Sequence, residues 1–219
     1  MSETRDTAGV TGIVLAGGRS SRFGADKLAA ELDGRPLLAH AIVAVAAVAA
    51  EVLVVAAPGS TPDLPRDLGV PIRVVHDPEA HGGPLVGVLA GASAATHPQL
   101  IVVAGDMPGL APAVLAALLE AVDPPTVSAI HLAAGERIQP LPFAASTGAV
   151  LATAADRLAA GSRSLRDLLL ALDAVALPEA TWRPLDPEGT TLRDVDVPAD
   201  LDATRDRDAR HRDRRGGRD

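Results

Sequence analysis

The stretch Gly12-Ile-Val-Leu-Ala-Gly-Gly-Arg-Ser-Ser-Arg-Phe-Gly-Ala-Asp-Lys27 decides the fold and points to the chemistry. It begins with a short apolar run, Ile13, Val14 and Leu15, of the kind that forms a buried strand. It then breaks into Gly17-Gly18, two serines, two arginines and Gly24, and closes on Lys27. Glycines let a backbone lie close to an anion with its N–H groups presented, and basic side chains neutralise phosphate charge. A strand, a glycine-rich turn, then Arg22 and Lys27 therefore make the pattern of a polyphosphate cradle. The same composition also fits a plain Gly/Ser surface turn, but Lys27 is the only lysine in the chain. An ammonium is a compact point charge, whereas a guanidinium is a flat fork. Two familiar glycine-loop templates are excluded. The P-loop needs Gly directly before Lys, and here Ala25-Asp26 intervenes; G-x-G-x-x-G is absent.

Working outward, residues 37–57 are nearly all apolar, broken by His40 and Glu51. A membrane span is rejected, because much of the run is alanine and Glu51 would lie in hydrocarbon. The run divides into a helix from Pro36 to Ala50 and a β-branched strand from Val52 to Val55. A Pro-rich connector (Pro58 to Pro71) leads to a third strand, Ile72 to Val75, ending in His76-Asp77. Gly82-Gly83-Pro84 opens a helix from Leu85 to Ala95, and Leu100 to Ala104 is apolar throughout, as in a strand covered on both faces. Gly105-Asp106-Met107-Pro108 follows it, then a helix from Pro112 to Val122. This alternation predicts an α/β, Rossmann-like, open and mainly parallel sheet with helices on both faces and ligands at the strands' carboxyl ends. The second half predicts strands at Val127–Ala133 and Pro140–Ala145. It also predicts helices at Thr147–Ala160 and Ser164–Leu172, with Ser164 as N-cap, and a short helix at Ala199–Ala203.

With 219 residues and 47% apolar content, residues 1–203 suffice for a single domain, whose core must be Ala, Val and Leu because only Phe23, Phe143 and Trp182 are aromatic. There is no cysteine, which excludes disulfides and thiolate metal sites. Met1 to Ala8 is polar and charged, unlike a signal peptide. The net charge is −8, yet residues 204–219 hold seven Arg and four Asp, so the body carries −11 and the tail +3. An acidic body argues against nucleic-acid binding. The Arg/Asp tail at 204–219 lacks apolar periodicity and is expected to be disordered.

Asp106 is the leading acidic candidate. A carboxylate directly beyond a buried strand reaches the ligand crevice, and a nucleoside triphosphate brings Mg²⁺, a cation that one or two carboxylates plus phosphates and waters can hold. Turn chemistry alone also favours an Asp before Pro. Arg22 and Lys27 should meet the triphosphate, where attack at the α-phosphorus loads negative charge on its oxygens and the departing pyrophosphate. As a loop-end residue, Lys27 is expected to bury little surface. Arg19 is either a contributor or a solvated loop residue. The six histidines show no metal-ligand spacing, and Ser20 and Ser21 read as phosphate-loop hydroxyls.

From Leu15 to Lys27 the loop resembles L-A-G-G-x-S-x-R-[MF]-G-x-D-K, the opening of the nucleoside-triphosphate transferases, and most closely of the molybdenum cofactor guanylyltransferases. Gly105-Asp106-Met107-Pro108 resembles that family's metal motif, and Val75-His76-Asp77 with Gly82-Gly83-Pro84-Leu85 its nucleotide-contacting segment. The resemblance, covering about Thr11 to Leu201, implies a fold of the nucleotide-diphospho-sugar transferase type. It implies a cytoplasmic, Mg²⁺-dependent enzyme that moves GMP from GTP to the phosphate of molybdopterin and releases pyrophosphate, in transient contact with proteins that deliver or accept the cofactor. It implies nucleotide-binding roles for Leu15, Ala16, Gly17, Gly18, Lys27, Asp77 and Asp106, with Asp77 approaching from a strand adjacent to that of Asp106. Two departures stand out. Val55-Ala56 replace a nucleotide-contacting Asn found in some relatives. Asp194-Val-Asp196-Val-Pro198 replaces Asn-x-Asn-Thr-Pro, so these aspartates bind metal or acceptor, or serve only a helix dipole. The aspartates lean toward a cytidylyltransferase of the same acceptor, while Leu-Ala-Gly-Gly and Gly-Pro-Leu lean toward the guanylyl side. Other small-acceptor nucleotidyltransferases share the fold, and a non-catalytic nucleotide-binding regulator is the reading from another class.

Overall fold

The computed structural model describes residues 9–17, 27–79, 82–123, 125–135, 138–195 and 200. The strands are β1 (Val10–Ala16), β2 (Glu31–Leu32), β3 (Arg35–Pro36), β4 (Glu51–Ala56), β5 (Ile72–His76), β6 (Gln99–Ala104), β7 (Ala129–Leu132), β8 (Phe143–Ser146) and β9 (Val175–Leu177). The helices are α1 (Leu37–Ala46), α2 (Pro84–Ala94), α3 (Pro112–Glu120), α4 (Thr147–Ala159), α5 (Leu165–Ala171) and α6 (Glu179–Trp182). Seven strands form one sheet in the order β5-β4-β1-β6-β8-β7-β9, and β2 and β3 form a separate hairpin. β1 is parallel to β4 and to β6, and β4 is parallel to β5. Only β8 runs against its neighbours, pairing antiparallel with β6 and β7, while β9 is parallel to β7. The expected α/β, mainly parallel sheet is thus observed.

The period-2 alternation of the strands assigns the two faces. Val10 and Val14 of β1, Val52 and Val54 of β4 and Ile101 and Val103 of β6 pack with α1, α3 and Trp182. Ile13, Leu15, Val55, Leu100, Val102 and Phe143 pack with α2, α4 and α5 on the other face. Close approach sets the first layer. A Cβ on Gly12 would lie 2.1 Å from Val45 Cγ1, so α1 rests directly on the backbone of β1.

The apolar run 37–57 divides as the sequence predicts, into α1 and β4. Among the described residues, no helix is long and apolar enough to cross a membrane. The first helix stops at Ala46 rather than Ala50, because the Ala50 N–H is taken by the Val10 carbonyl at 2.9 Å, and sheet pairing overrides helix propensity. Ser164 caps α5 as expected, its Oγ accepting from the Asp167 N–H at 3.3 Å. The hairpin β2–β3, strand β9 and helix α6 are additions. The hairpin turns on Asp33 (φ 52°) and Gly34 (φ 74°), a left-handed pair that an Asp-Gly dipeptide adopts readily. Of the predicted helix at 199–203 only residue 200 is described, as helical, and the tail at 204–219 lies outside the described residues.

Glu51, which argued against a membrane span, is 5% exposed at the amino end of β4. Its Oε1 accepts from Thr11 Oγ1 at 2.8 Å, Thr96 N at 2.8 Å and Thr96 Oγ1 at 2.7 Å, and its Oε2 accepts from Arg73 at 2.8 Å. Burial pushes its pKa up, but the hydrogen bonds from Arg73, Thr96 and Thr11 outweigh burial and lower it from 4.5 to about 2. A carboxylate depressed in the folded state contributes stability that is present above pH 4.5 and lost as pH falls toward 2. Glu51→Gln should therefore cost about 2–3 kcal/mol at pH 7, a value reduced by solvent screening of half-exposed Arg73. The gap from wild type should close near pH 2. Urea denaturation of both proteins across this range checks it; parallel stability curves would show that the carboxylate does not contribute in this way.

Candidate active site

The chain runs from β1 outward to β4 and β5, then returns to place β6 on the other side of β1. The order therefore reverses between β1 and β6, and their carboxyl ends flank the crevice where ligands bind in open α/β sheets. Gly105 N–H donates to the Leu15 carbonyl at 2.9 Å, holding the end of β6 against the end of β1. A Cβ on Gly105 would stand 3.0 Å from Leu38 Cδ1 and 3.3 Å from the Leu15 oxygen, a tight fit that a side chain would enter only by displacing its neighbours slightly.

Lys27 opens a single 3₁₀ turn, Lys27–Ala29, tied to the following hairpin and helix by the Ala30 N–H to Lys27 carbonyl bond and the Leu37 N–H to Ala30 carbonyl bond. Its Nζ donates to Asp106 Oδ2 at 2.8 Å, and the two side chains are 11% and 25% exposed. The structure thus brings together the two charged residues that the sequence singles out most strongly. One expectation fails: Lys27 is 9% exposed overall and buries most of its surface, because the 3₁₀ turn directs it inward to the carboxylate.

Asp77 follows β5, its N–H bonded to the Ala56 carbonyl at 2.8 Å. Its Oδ1 accepts from the Glu79 N–H at 2.9 Å, and its Oδ2 lies 3.9 Å from the Cβ position of Gly87 in α2. The adjacency expected between its strand and that of Asp106 is not observed. β5 is the sheet edge, separated from β6 by β4 and β1, because the chain crosses back over β1 before forming β6. Asp77 and Asp106 still share the carboxyl edge of the parallel strands. Leu15, Ala16 and Gly17 occupy that edge at the end of β1, and beside them Val55 and Ala56 are buried apolar residues. Gly18, Arg19, Ser20, Ser21, Arg22 and Asp196 lie outside the described residues.

Asp194 lines a cavity of about 480 Å³ with Leu32, Asp33, His40 and Gly109, and the neighbouring Val195 N–H donates to the Asp106 carbonyl at 3.0 Å. A second, open groove of about 630 Å³ is lined by Pro84, Pro140, Leu141 and residues 162–167, including Arg163 and Arg166. It lies at the same edge, since Phe143 pairs with Val102 near the carboxyl end of β6. Gly83 (φ 88°) places its Cβ position 3.0 Å from Arg163 Cβ, and Arg163 pairs with Glu79 at 3.0 Å. Sequence reasoning missed these arginines. Arg163 lies in a short loop and Arg166 in the first turn of α5, neither in a motif, and only the fold brings this segment to Gly83 and Pro84.

The carboxyl edge thus holds a cation and a carboxylate at the switch point, Gly17 at the end of β1, and an arginine-bearing groove. A family model described as MobA-like NTP transferase domain matches residues 12–176. A protein of Chloroflexus aggregans named probable molybdenum cofactor guanylyltransferase is 35% identical over 198 residues, covering 88% of this chain and 91% of that protein. A molybdenum cofactor guanylyltransferase of Burkholderia vietnamiensis is 36% identical over 168 residues, 73% of this chain and 81% of that protein. The crystal structure of molybdopterin-guanine dinucleotide biosynthesis protein A from Archaeoglobus fulgidus superposes with a TM-score of 0.72 at 20% identity, covering 91% of this chain and 99% of that one, a likeness of fold. The match at residues 12–176 runs from β1 into β9 and takes in Lys27, Asp77 and Asp106; this chain belongs to the MobA-like NTP transferase family.

Proposed function

We propose that this chain transfers a guanylyl group from GTP to the terminal phosphate of molybdopterin. An acceptor phosphate oxygen bonds to the α-phosphorus, the α–β bridging P–O bond breaks, and pyrophosphate leaves with the electron pair. The observation that carries this reading is the Lys27–Asp106 pair at the point where the strand order reverses. The relatives' names supply the base and the acceptor. Asp194, standing where such enzymes often carry Asn, favours the cytidylyl reading as the alternative.

Catalysis of this kind is mostly positioning and charge stabilisation. Lys27 holds a fixed positive charge for the phosphates, and Arg22 supplies a second. Burial of the lysine stem strengthens its interaction by excluding water. Asp77 contacts the nucleotide from the far side of the carboxyl edge. Arg166 would give the neighbouring groove a positive charge for an anionic acceptor, while Arg163 is paired with Glu79.

Mg²⁺ fits the donor set, because Asp106 is a partly exposed, hard carboxylate and the other ligands would be phosphate and water oxygens. Asp106 would hold the ion, which when bound neutralises phosphate charge. Asp194, one residue before the Val195 that is bonded to Asp106, would meet the acceptor. The reaction is that of a cytoplasmic enzyme, in transient contact with the proteins that bring or take the cofactor.

Because Lys27 is buried, Lys27→Met is the cleaner test: it keeps the stem and removes the charge. Pyrophosphate release at saturating GTP should fall about 100- to 1,000-fold, and Lys27→Arg should recover only part, since a planar fork cannot place charge where an ammonium sat. A wild-type rate for Lys27→Met would return the loop to a plain turn. Asp106→Asn should lose rate and need more Mg²⁺ for half-maximal activity, with excess Mg²⁺ restoring part of the loss; an unchanged Mg²⁺ titration rejects the metal role. Arg166→Gln should raise the KM for molybdopterin about tenfold while leaving that for GTP near wild type. Faster pyrophosphate release with CTP than with GTP would select the cytidylyl reading.

A further inference from the structure

The loop that carries Asp106 is held from outside by a segment about eighty residues later in the chain. Trp182 is fully buried, and its Nε1 donates to the Ala133 carbonyl at 3.0 Å, anchoring the start of that segment beyond the end of β7. Four residues on, Asp186 is 5% exposed. Its Oδ1 accepts from Thr190 Oγ1 at 3.0 Å and its Oδ2 from the Thr191 N–H at 2.7 Å, folding 186–192 into a closed turn. Burial raises the pKa of Asp186, but the hydrogen bonds from Thr191 and Thr190 outweigh it and hold the carboxyl below the usual range.

The closed turn meets the Asp106 loop at two points, and Val195, three residues beyond it, adds a third. Thr191, fully buried, has its Oγ1 accepting from the Ala111 N–H at 3.0 Å, a donor at the N-cap of α3 that no residue within the helix can satisfy. Gly109 abuts Thr190 so closely that a Cβ would lie 2.7 Å from the Thr190 oxygen. The Val195 N–H donates to the Asp106 carbonyl at 3.0 Å. Residues 109 and 111 therefore rest on a turn organised by a single buried carboxylate, and residue 106 is bonded to Val195 just beyond that turn.

We propose that Asp186 and Thr191 are positioning residues for the catalytic carboxylate of Asp106. They hold the 105–111 loop in one conformation, so that Asp106 faces Lys27 and is preorganised for the metal–triphosphate complex. Displacements well under the length of a bond at such a group cost rate steeply. The inference rests on the reading of Asp106 as the metal-holding residue.

Thr191→Val keeps the side chain's size but cannot accept from Ala111. Assayed in the full-length protein with GTP, molybdopterin and a Mg²⁺ titration, it should lower kcat about tenfold, raise the Mg²⁺ needed for half-maximal rate and leave the KM for GTP near wild type. Thr191→Ser should restore most of the loss, because the hydroxyl returns. Glu51→Gln, destabilising but at the opposite edge of the sheet, should keep the wild-type Mg²⁺ titration. If Thr191→Val fails to fold, Gly109→Ala strains the neighbouring contact of the same turn with the loop, that of Gly109 with Thr190, and should give the same kinetic signature. The proposal is overturned if Thr191→Val, or Gly109→Ala in its place, lowers only the melting temperature, or if Thr191→Ser is as slow as Thr191→Val. Asp106→Asn separates the two levels. If it loses activity while Thr191→Val does not, the positioning role alone fails; if it keeps wild-type Mg²⁺ dependence, the metal reading fails and the positioning proposal with it.

Discussion

The 2.8 Å ion pair between Lys27 and Asp106 joins two parts of the chain that nothing in local structure would bring together. One partner leaves the loop after β1 and the other leaves the end of β6. A partly buried pair is costly to desolvate, and removing either partner strands the other charge. It is maintained because both ends are built on rigid supports. The Gly105 to Leu15 hydrogen bond locks the strand ends together, the 3₁₀ turn at Lys27 is tied to the hairpin and α1, and the Asp106 carbonyl is held by Val195.

The two edges of the parallel strands do different work. At the amino edge, Glu51 gathers Thr11, Thr96 and Arg73, closing the sheet with a fully hydrogen-bonded carboxylate. At the carboxyl edge, the Lys27–Asp106 pair remains partly accessible, one cavity reaches Pro108 and Gly109 of the Asp106 loop, and an open groove lies between Pro84, Leu141 and Arg166. Between them lies a dry interior of Val, Leu and Ala packed on both faces, with Gly12 allowing α1 to approach β1 closely. Stability and chemistry are thereby separated along the strand direction, so a stability variant such as Glu51→Gln can serve as a control for site variants.

Much of the architecture was legible because its signals are local. Continuous β-branched runs mark β1, β4 and β6; Pro at the first turn marks α2 and α3; Ser164 caps α5. Errors fell where two local signals compete or are weak. α1 ended early because the Ala50 N–H joined the sheet, and the two-residue strands of the Asp33-Gly34 hairpin are too short to show periodicity. β9 and α6 are short elements whose residues are fixed by pairing with β7 and by burial of Trp182, both long-range events.

The sequence by itself determined the α/β class, the glycine-rich strand end, and the candidacy of Lys27, Asp77 and Asp106. Each of these depends on residue type, neighbours and periodicity along a few positions. Tertiary structure alone decided that Lys27 is buried and paired, that β5 is an edge strand distant from β6, and that Arg163 and Arg166 open onto the same edge as Asp77 and Asp106. It also decided that Thr191, held by Asp186, reaches back to the loop of Asp106. The physical reason is common to all four: strand order and helix crossing set which carboxyl ends meet, and contacts between residues tens of positions apart follow from that order rather than from any local pattern.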